Sequence, residues 1–265
     1  MNIKQLRKNW DRFGRTDPLW AIITWPDKRG NRWQLDEFLR TGEADIAKVM
    51  NNIRSLGINP RGSRALDFGC GVGRLTQALA NHFDKVCGVD VAPSMIRLAK
   101  KYNRHGEKCR FYVNDRADLR LFDDAAFDCI YTMLTLQHME PQYARAYLKE
   151  FLRLLVSQGV LVFQIPSEQV RSEPESESTR AKEDEDFFAK IKQFTKSMAP
   201  QTMLDFFRKL KYREREALPR MEMHGVRREE LERLLEQNGA HILDVVQDGM
   251  AGPSWISYTY FVMKP

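Results

Sequence analysis

The stretch Leu66–Arg74 reads LDFGCGVGR. An aspartate interrupts the apolar run and three glycines follow at alternate positions. Helical periodicity then begins, with Leu75, Ala78, Leu79 and Phe83 on one face. A glycine-rich turn between a strand and a helix lets the backbone approach a ligand closely and aims helix N-terminal amides at it. Strand, ligand-binding turn and helix are the first half of a βαβ unit, so this stretch decides the fold class.

Outward from it, Arg64–Phe68 (RALDF) is the first strand and Val86–Asp90 (VCGVD) the second. Pro93 stands at the first position of the next helix, whose stripe continues through Ile96 and Ala99. A third strand is expected at Arg110–Val113 and a fourth at Phe127–Thr132. A helix is expected over Pro141–Leu155, then a fifth strand at Gly159–Ile165 buried on both faces. Arg227–Asn238 is the last helix, stopped by Gly239, and His241–Val246 and Ser257–Met263 are two final strands joined by the Gly249–Ser254 loop. The pattern predicts an α/β fold, doubly wound and Rossmann-like, with a mostly parallel seven-stranded sheet closed by a C-terminal antiparallel hairpin.

Two segments stand outside this alternation. The first 45 residues carry four of the five tryptophans, Trp10, Trp20, Trp25 and Trp33, enough apolar surface to dock on a core. After the fifth strand, Ser167–Asp186 is acidic and serine-rich, which predicts a solvated linker. Ala189–Arg220 is basic and helical, with Met203, Phe206, Phe207 and Leu210 as its stripe. The expected organisation is therefore a helical extension or lid over 1–45, a cofactor-binding core over 46–166, a charged linker and helical cap over 167–222, and a last helix with two strands over 223–265.

With 43% hydrophobic and 29% charged residues, the composition is that of a soluble globular protein. The apolar run Trp20–Trp25 is too short for a signal-peptide core or a membrane span, which makes the cytoplasm the expected location. Cys70, Cys87, Cys109 and Cys129 are far apart and three lie in strand-like runs, so free buried thiols are expected. The net charge of +6 is a mild excess of basic residues that argues weakly for an anionic partner and, on balance, against nucleic acid.

The ligand of the glycine turn can be narrowed. A dinucleotide fingerprint, G-x-G-x-x-G, needs a third glycine where this chain has Arg74, which would set a bulky side chain at the helix–strand contact. Asp90, at the end of the second strand, is placed to accept from ribose hydroxyls, which suits NAD or an adenosine cofactor alike.

Asp67-x-Gly69-Cys70-Gly71-x-Gly73, with Asp90 seventeen residues after the last glycine, resembles the class I S-adenosylmethionine-dependent methyltransferases. The resemblance covers Ala65 to Ile165, including Asn114-Asp115-Arg116 after strand three and Met133 after strand four. It implies that the backbone around Gly69, Cys70 and Gly71 lies against the methionine portion of S-adenosyl-L-methionine, that Gly73 belongs to the same cofactor-binding turn, and that Asp67 helps hold the ammonium group. By the same resemblance Asp90, with Val91 after it, takes the ribose, Asp115 accepts from the adenine amino group beside the Arg116 amide, and Met133 lines the cofactor.

Methyl transfer needs an aligned acceptor, exclusion of water and, for a hydroxyl, removal of a proton. His138, in TLQHM just beyond the fourth strand, is the candidate base, with a loop histidine bonded to a backbone carbonyl as the equal alternative. His224, in MEMHGV, is a weaker candidate and reads better as a helix-start residue. No residues fall at metal-ligand spacing. The stretch Met133-Leu134-Thr135-Leu136 lacks the N-P-P-Y-like turn of enzymes that methylate base nitrogens, and a single Glu140 stands where protein arginine methyltransferases carry two glutamates. The region is instead similar to small-molecule methyltransferases. Trp20 and Trp25 are lid candidates, Trp10 and Trp33 core residues. The competing functions are an NAD-type oxidoreductase and a non-catalytic cofactor-binding module with a protein or RNA partner.

Overall fold

The computed structural model describes residues 1–170 and 219–265. The expected acidic linker and basic cap fall mostly on 171–218 and lie outside the described residues, as do Met203, Phe206, Phe207 and Leu210.

Apolar runs set the sheet. The strands are β1 (Arg64–Phe68), β2 (Lys85–Asp90), β3 (Cys109–Val113), β4 (Phe127–Thr132), β5 (Leu155–Gln169), β6 (His241–Asp248) and β7 (Trp255–Met263). They form one sheet in the order β3-β2-β1-β4-β5-β7-β6. The first five strands are parallel, and β7 runs antiparallel between β5 and β6. The alternation of side chains explains why the centre reads as continuous hydrophobic sequence. Leu161 and Phe163 of β5 enter one apolar layer and Val160 and Val162 the other, all four without solvent exposure.

Seven α-helices accompany the sheet among the described residues: α1 (Ile3–Thr16), α2 (Pro18–Ile22), α3 (Leu35–Ser55), α4 (Arg74–Leu79), α5 (Pro93–Tyr102), α6 (Pro141–Leu154) and α7 (Arg228–Gln237). Helices α6 and α7 bury Leu148, Phe151, Leu231 and Leu235 on one face of the sheet; α3, α4 and α5 bury Ile46, Ile53, Leu79 and Ile96 on the other. Pro93 is the first residue of α5 and Gly239, past α7, adopts φ +75°.

The strand readings hold, with β5 longer at both ends than Gly159–Ile165: it continues directly from α6 and runs on through Ser167–Gln169, so residues expected to open the linker are sheet-bonded to β7. Helix α3 runs across residue 45, where the extension was expected to end, and plants Ile46, Met50 and Ile53 in the core.

The N-terminal helices are held by close contacts. Asn2 and Gln5 form a reciprocal capping box at the start of α1. Asp11 accepts from the Ser94 backbone N–H and its carbonyl from the Ser94 hydroxyl, both at 2.8 Å, so α1 caps α5. Gly14 permits that approach: a Cβ there would come 2.2 Å from Ser94 Oγ. All four cysteines are buried and free. No described helix is long and apolar enough to cross a membrane.

Candidate active site

Parallel sheets bind ligands beyond the carboxyl ends of their strands, where strand order reverses. Here that point lies between β1 and β4, and a cavity of about 290 Å³ opens there, bordered by the turn after β1, the ends of β2 and β4, and α1 and α2.

Gly69 and Gly71 border the cavity in left-handed conformations, φ +77° and +52°. The turn is tied to β2: the Gly69 and Cys70 amides donate to the Val89 carbonyl at 2.8 and 3.0 Å, and the Gly71 amide to Asp90 Oδ2 at 2.9 Å. The other carboxylate oxygen of Asp90 accepts from the Ala92 amide at 2.8 Å. Burial pushes the Asp90 carboxyl up to about 6, held back by the amides of Ala92, Gly71 and Val91. Asp90 thus stands at the cavity as an oriented acceptor whose oxygens keep further lone pairs. Cys70, Val91 and Met133 border the same space.

Four expected site residues lie elsewhere. Gly73 turns the chain into α4, with the Phe111 ring 2.8 Å from where its Cβ would be, and does not border the cavity. Asp67 is buried behind the turn, accepting from the Thr76 hydroxyl at 2.6 Å, and burial raises its carboxyl to about 7. A strand alternates its faces, and Asp67 points to α4 while Phe68 borders the cavity. Asp115 pairs with Arg7 of α1 at 2.6 Å, half exposed. The Arg116 carbonyl accepts from Tyr147 and from the Asn114 side chain. Asn114, buried and next to the cavity, is the residue this segment contributes.

Arg74 also differs from expectation. Its side chain turns away from the strand to α3, where Nη1 meets Asp45 Oδ2 at 2.6 Å and Thr41 Oγ1 at 3.1 Å. Gly42 of α3 makes room, since a Cβ there would lie 2.7 Å from the Arg74 carbonyl. The crowding anticipated against a dinucleotide is therefore absorbed by helix–helix packing.

The N-terminal helices roof the cavity through Ile3, Leu6, Trp10, Ala21 and Ile22, with Thr24 just beyond α2. Trp33 is in the core, as expected. Trp10, expected there too, packs against the core but also borders the cavity and lies on the His138 ring at 5.0 Å between centroids. Trp20 and Trp25, the lid candidates, do not border it, and Trp25 is 48% exposed. Aromatic content marked the segment; only packing selects the ring that turns inward.

His138 ends a short 3-10 turn, Leu136–His138, reached through Leu134 in a left-handed conformation at φ +55°. It borders the cavity, and its Nδ1 lies 2.8 Å from the Glu222 carbonyl, so both sequence readings meet in one residue. Burial lowers its pKa below 6.5, with a smaller contribution from His224 and opposition from the Glu222 carbonyl. Its Nε2 faces the Gln137 side-chain nitrogen at 3.3 Å. His224 is neither in the cavity nor at a helix start. It lies in the irregular segment before α7, its amide donating to the Gln137 carbonyl at 2.7 Å and its Nε2 3.7 Å from Glu222. Met221 and Met223 of that segment do border the cavity, with Met250 from the β6–β7 loop. The alternate spacing of Met221 and Met223 around Glu222 was their only sequence signal.

Residues 65–159 match the family described as methyltransferase domain. A 2-methyl-6-phytyl-1,4-hydroquinone methyltransferase from Synechocystis is 30% identical over 119 residues, 44% of this chain and 36% of that protein. A ubiquinone biosynthesis O-methyltransferase from Xanthomonas axonopodis is 30% identical over 114 residues, 41% of this chain and 46% of the other. The chain thus spans less than half the length of these curated relatives. Among solved structures, magnesium protoporphyrin IX methyltransferase from Synechocystis with bound SAH shares the fold, with a TM-score of 0.59 over 98% of both chains at 17% identity.

Proposed function

We propose, on the premise that residues 65–159 form a methyltransferase domain of the class I type, that this protein transfers a methyl group from S-adenosylmethionine to a small-molecule acceptor in the cytoplasm. The observation that carries the reading is Asp90 held by the amides of Gly71 and Ala92 beside a turn in which Gly69 and Gly71 carry no side chain, at the edge of one cavity.

The residues present fit that cofactor. Gly69 and Gly71 border the cavity with backbone alone, Asp90 retains lone pairs for the two ribose hydroxyls, and Val91 and Met133 offer apolar walls. Bound S-adenosylmethionine supplies a methyl carbon on a cationic sulfur. The chain's own residues do the rest: they align the acceptor for in-line displacement, and Ile3, Leu6 and Trp10 keep water out. His138 is the base in this reading, through the lone pair of an Nε2 that the Gln137 NH2 faces at 3.3 Å. Asp67, Asp115 and Arg116 have structural roles in the turn and in the docking of α1 and α6.

The quinol and porphyrin substrates in the relatives' names support a small-molecule acceptor over a macromolecule. Titration calorimetry with S-adenosylhomocysteine tests the proposal. Saturable heat at a stoichiometry of one is expected, and no binding at near-millimolar ligand would end it. NADH, followed by fluorescence, is the control for the oxidoreductase alternative.

A further inference from the structure

We propose that Gln137 is the seat of the acceptor's hydroxyl group, and that the acceptor is accordingly a neutral, largely apolar molecule carrying an O–H donor. The proposal rests on the methyl-transfer reading above and deepens it to the acceptor's chemical class.

Hydrogen polarity around Gln137 follows from one fixed group. The Glu222 carbonyl can only accept, so His138 Nδ1, 2.8 Å away, carries a hydrogen. Burial keeps the ring neutral, so that hydrogen is its only one and Nε2 presents a lone pair. The group facing Nε2 at 3.3 Å must then donate, which fixes the Gln137 amide with its NH2 toward His138. Its Oε1 points the other way. That oxygen is buried in a side chain 5% exposed and has no hydrogen-bond partner among the described residues, although Gln137 itself borders the cavity. A buried carbonyl oxygen without a donor is costly, and a donor arriving with a ligand relieves that cost.

The surroundings say what kind of ligand brings the donor. Met133, Met139, Met221, Met223, Trp10 and Tyr143 border the cavity and offer polarizable, adaptable walls to a flat apolar molecule. Among the described lining residues Arg74 is the only cationic one, and Asp45 already pairs with it. Nothing there compensates a buried anionic acceptor, despite the chain's net charge of +6. A neutral O–H compound satisfies Oε1 at no such cost.

The test compares 2-naphthol with 2-methoxynaphthalene, which share a ring system and differ in the donor hydrogen. Binding is followed by fluorescence, with and without S-adenosylhomocysteine. The wild type should bind the naphthol about tenfold more tightly than its ether. Gln137→Leu should erase that preference by weakening the naphthol alone, with affinity for S-adenosylhomocysteine unchanged. Gln137→Met, closer in length to the native side chain, guards against misfolding of the first variant. A hydroxyl preference that survives in Gln137→Met, or is missing in the wild type, overturns the proposal. Failure of S-adenosylhomocysteine to bind would instead sink the methyl-transfer reading and leave the naphthol comparison standing.

Discussion

Replacing Asp67 with Asn should raise stability above about pH 7 and flatten its dependence on pH. Asp67 is 1% exposed, and its Oδ2 accepts from the Thr76 hydroxyl at 2.6 Å. Burial lifts its carboxyl from 3.8 to about 7, against the pull of Thr76 and the Arg74 guanidinium and with a push from Asp90. The native state therefore holds this proton more tightly than the unfolded chain. Below about pH 4 both states carry it and the group costs nothing; between about pH 4 and 7 the unfolded chain releases it first and the native state loses stability. The gap is about three pH units, and at about 1.4 kcal/mol each it bounds the loss at about 4 kcal/mol. An amide keeps an oxygen for Thr76 and removes the charge, but buries a new NH2 at a cost of about 1–3 kcal/mol. Urea unfolding should then find the variant more stable by about 1–3 kcal/mol at pH 8, and equal to or below the wild type at pH 5. A difference that does not change with pH would refute the reasoning. Binding of S-adenosylhomocysteine should be unaffected, because Asp67 does not border the cavity.

Other substitutions probe the remaining parts. Asp90→Ala should weaken S-adenosylhomocysteine binding about tenfold or more in calorimetry, by removing a charge-assisted acceptor, and an unchanged affinity would dismiss its ribose role. Gly73→Ala should cost about 1–3 kcal/mol in urea unfolding, since the position sits at φ +84° and the new Cβ would meet the Phe111 ring at 2.8 Å; an unshifted midpoint would contradict this. His138→Ala should lower turnover about 100-fold or more with cofactor binding intact. In the wild type the neutral base persists to below pH 6.5, so the rate should rise with pH through a limb below that value and then level off; a limb above 6.5 would count against His138.

The parallel core was legible because each central strand is a short apolar run and each crossover helix keeps its stripe, so that local pattern and buried face agree from Arg64 to Ile165. That Gly69, Gly71 and Asp90 border the cavity was legible because spacing alone locates the turn and the strand end. Contacts decided by side-chain direction were not. Asp67 and Phe68 are adjacent, yet only Phe68 borders the cavity; Asp115 went to Arg7 of a helix 108 residues away in sequence. The roof posed the same difficulty, since four tryptophans mark an apolar segment without saying that Trp10 and Ile22 turn inward. Gln137, beside the chosen His138, carried no signal, because its significance lies in a hydrogen-bond polarity fixed by the distant Glu222 carbonyl.

The position of β7 has a consequence for biogenesis. Trp255–Met263 pairs with β5 on one side and β6 on the other, and its Tyr260 and Val262 are wholly buried. While the chain is being synthesised, β1 to β5 can pair as soon as they emerge, but β5 then offers an open edge of valine, leucine and phenylalanine until nearly a hundred further residues have been made. Completion of the sheet waits on a strand distant in sequence, a contact that forms slowly. The nascent protein is therefore most exposed to edge-to-edge aggregation just before its last strand arrives.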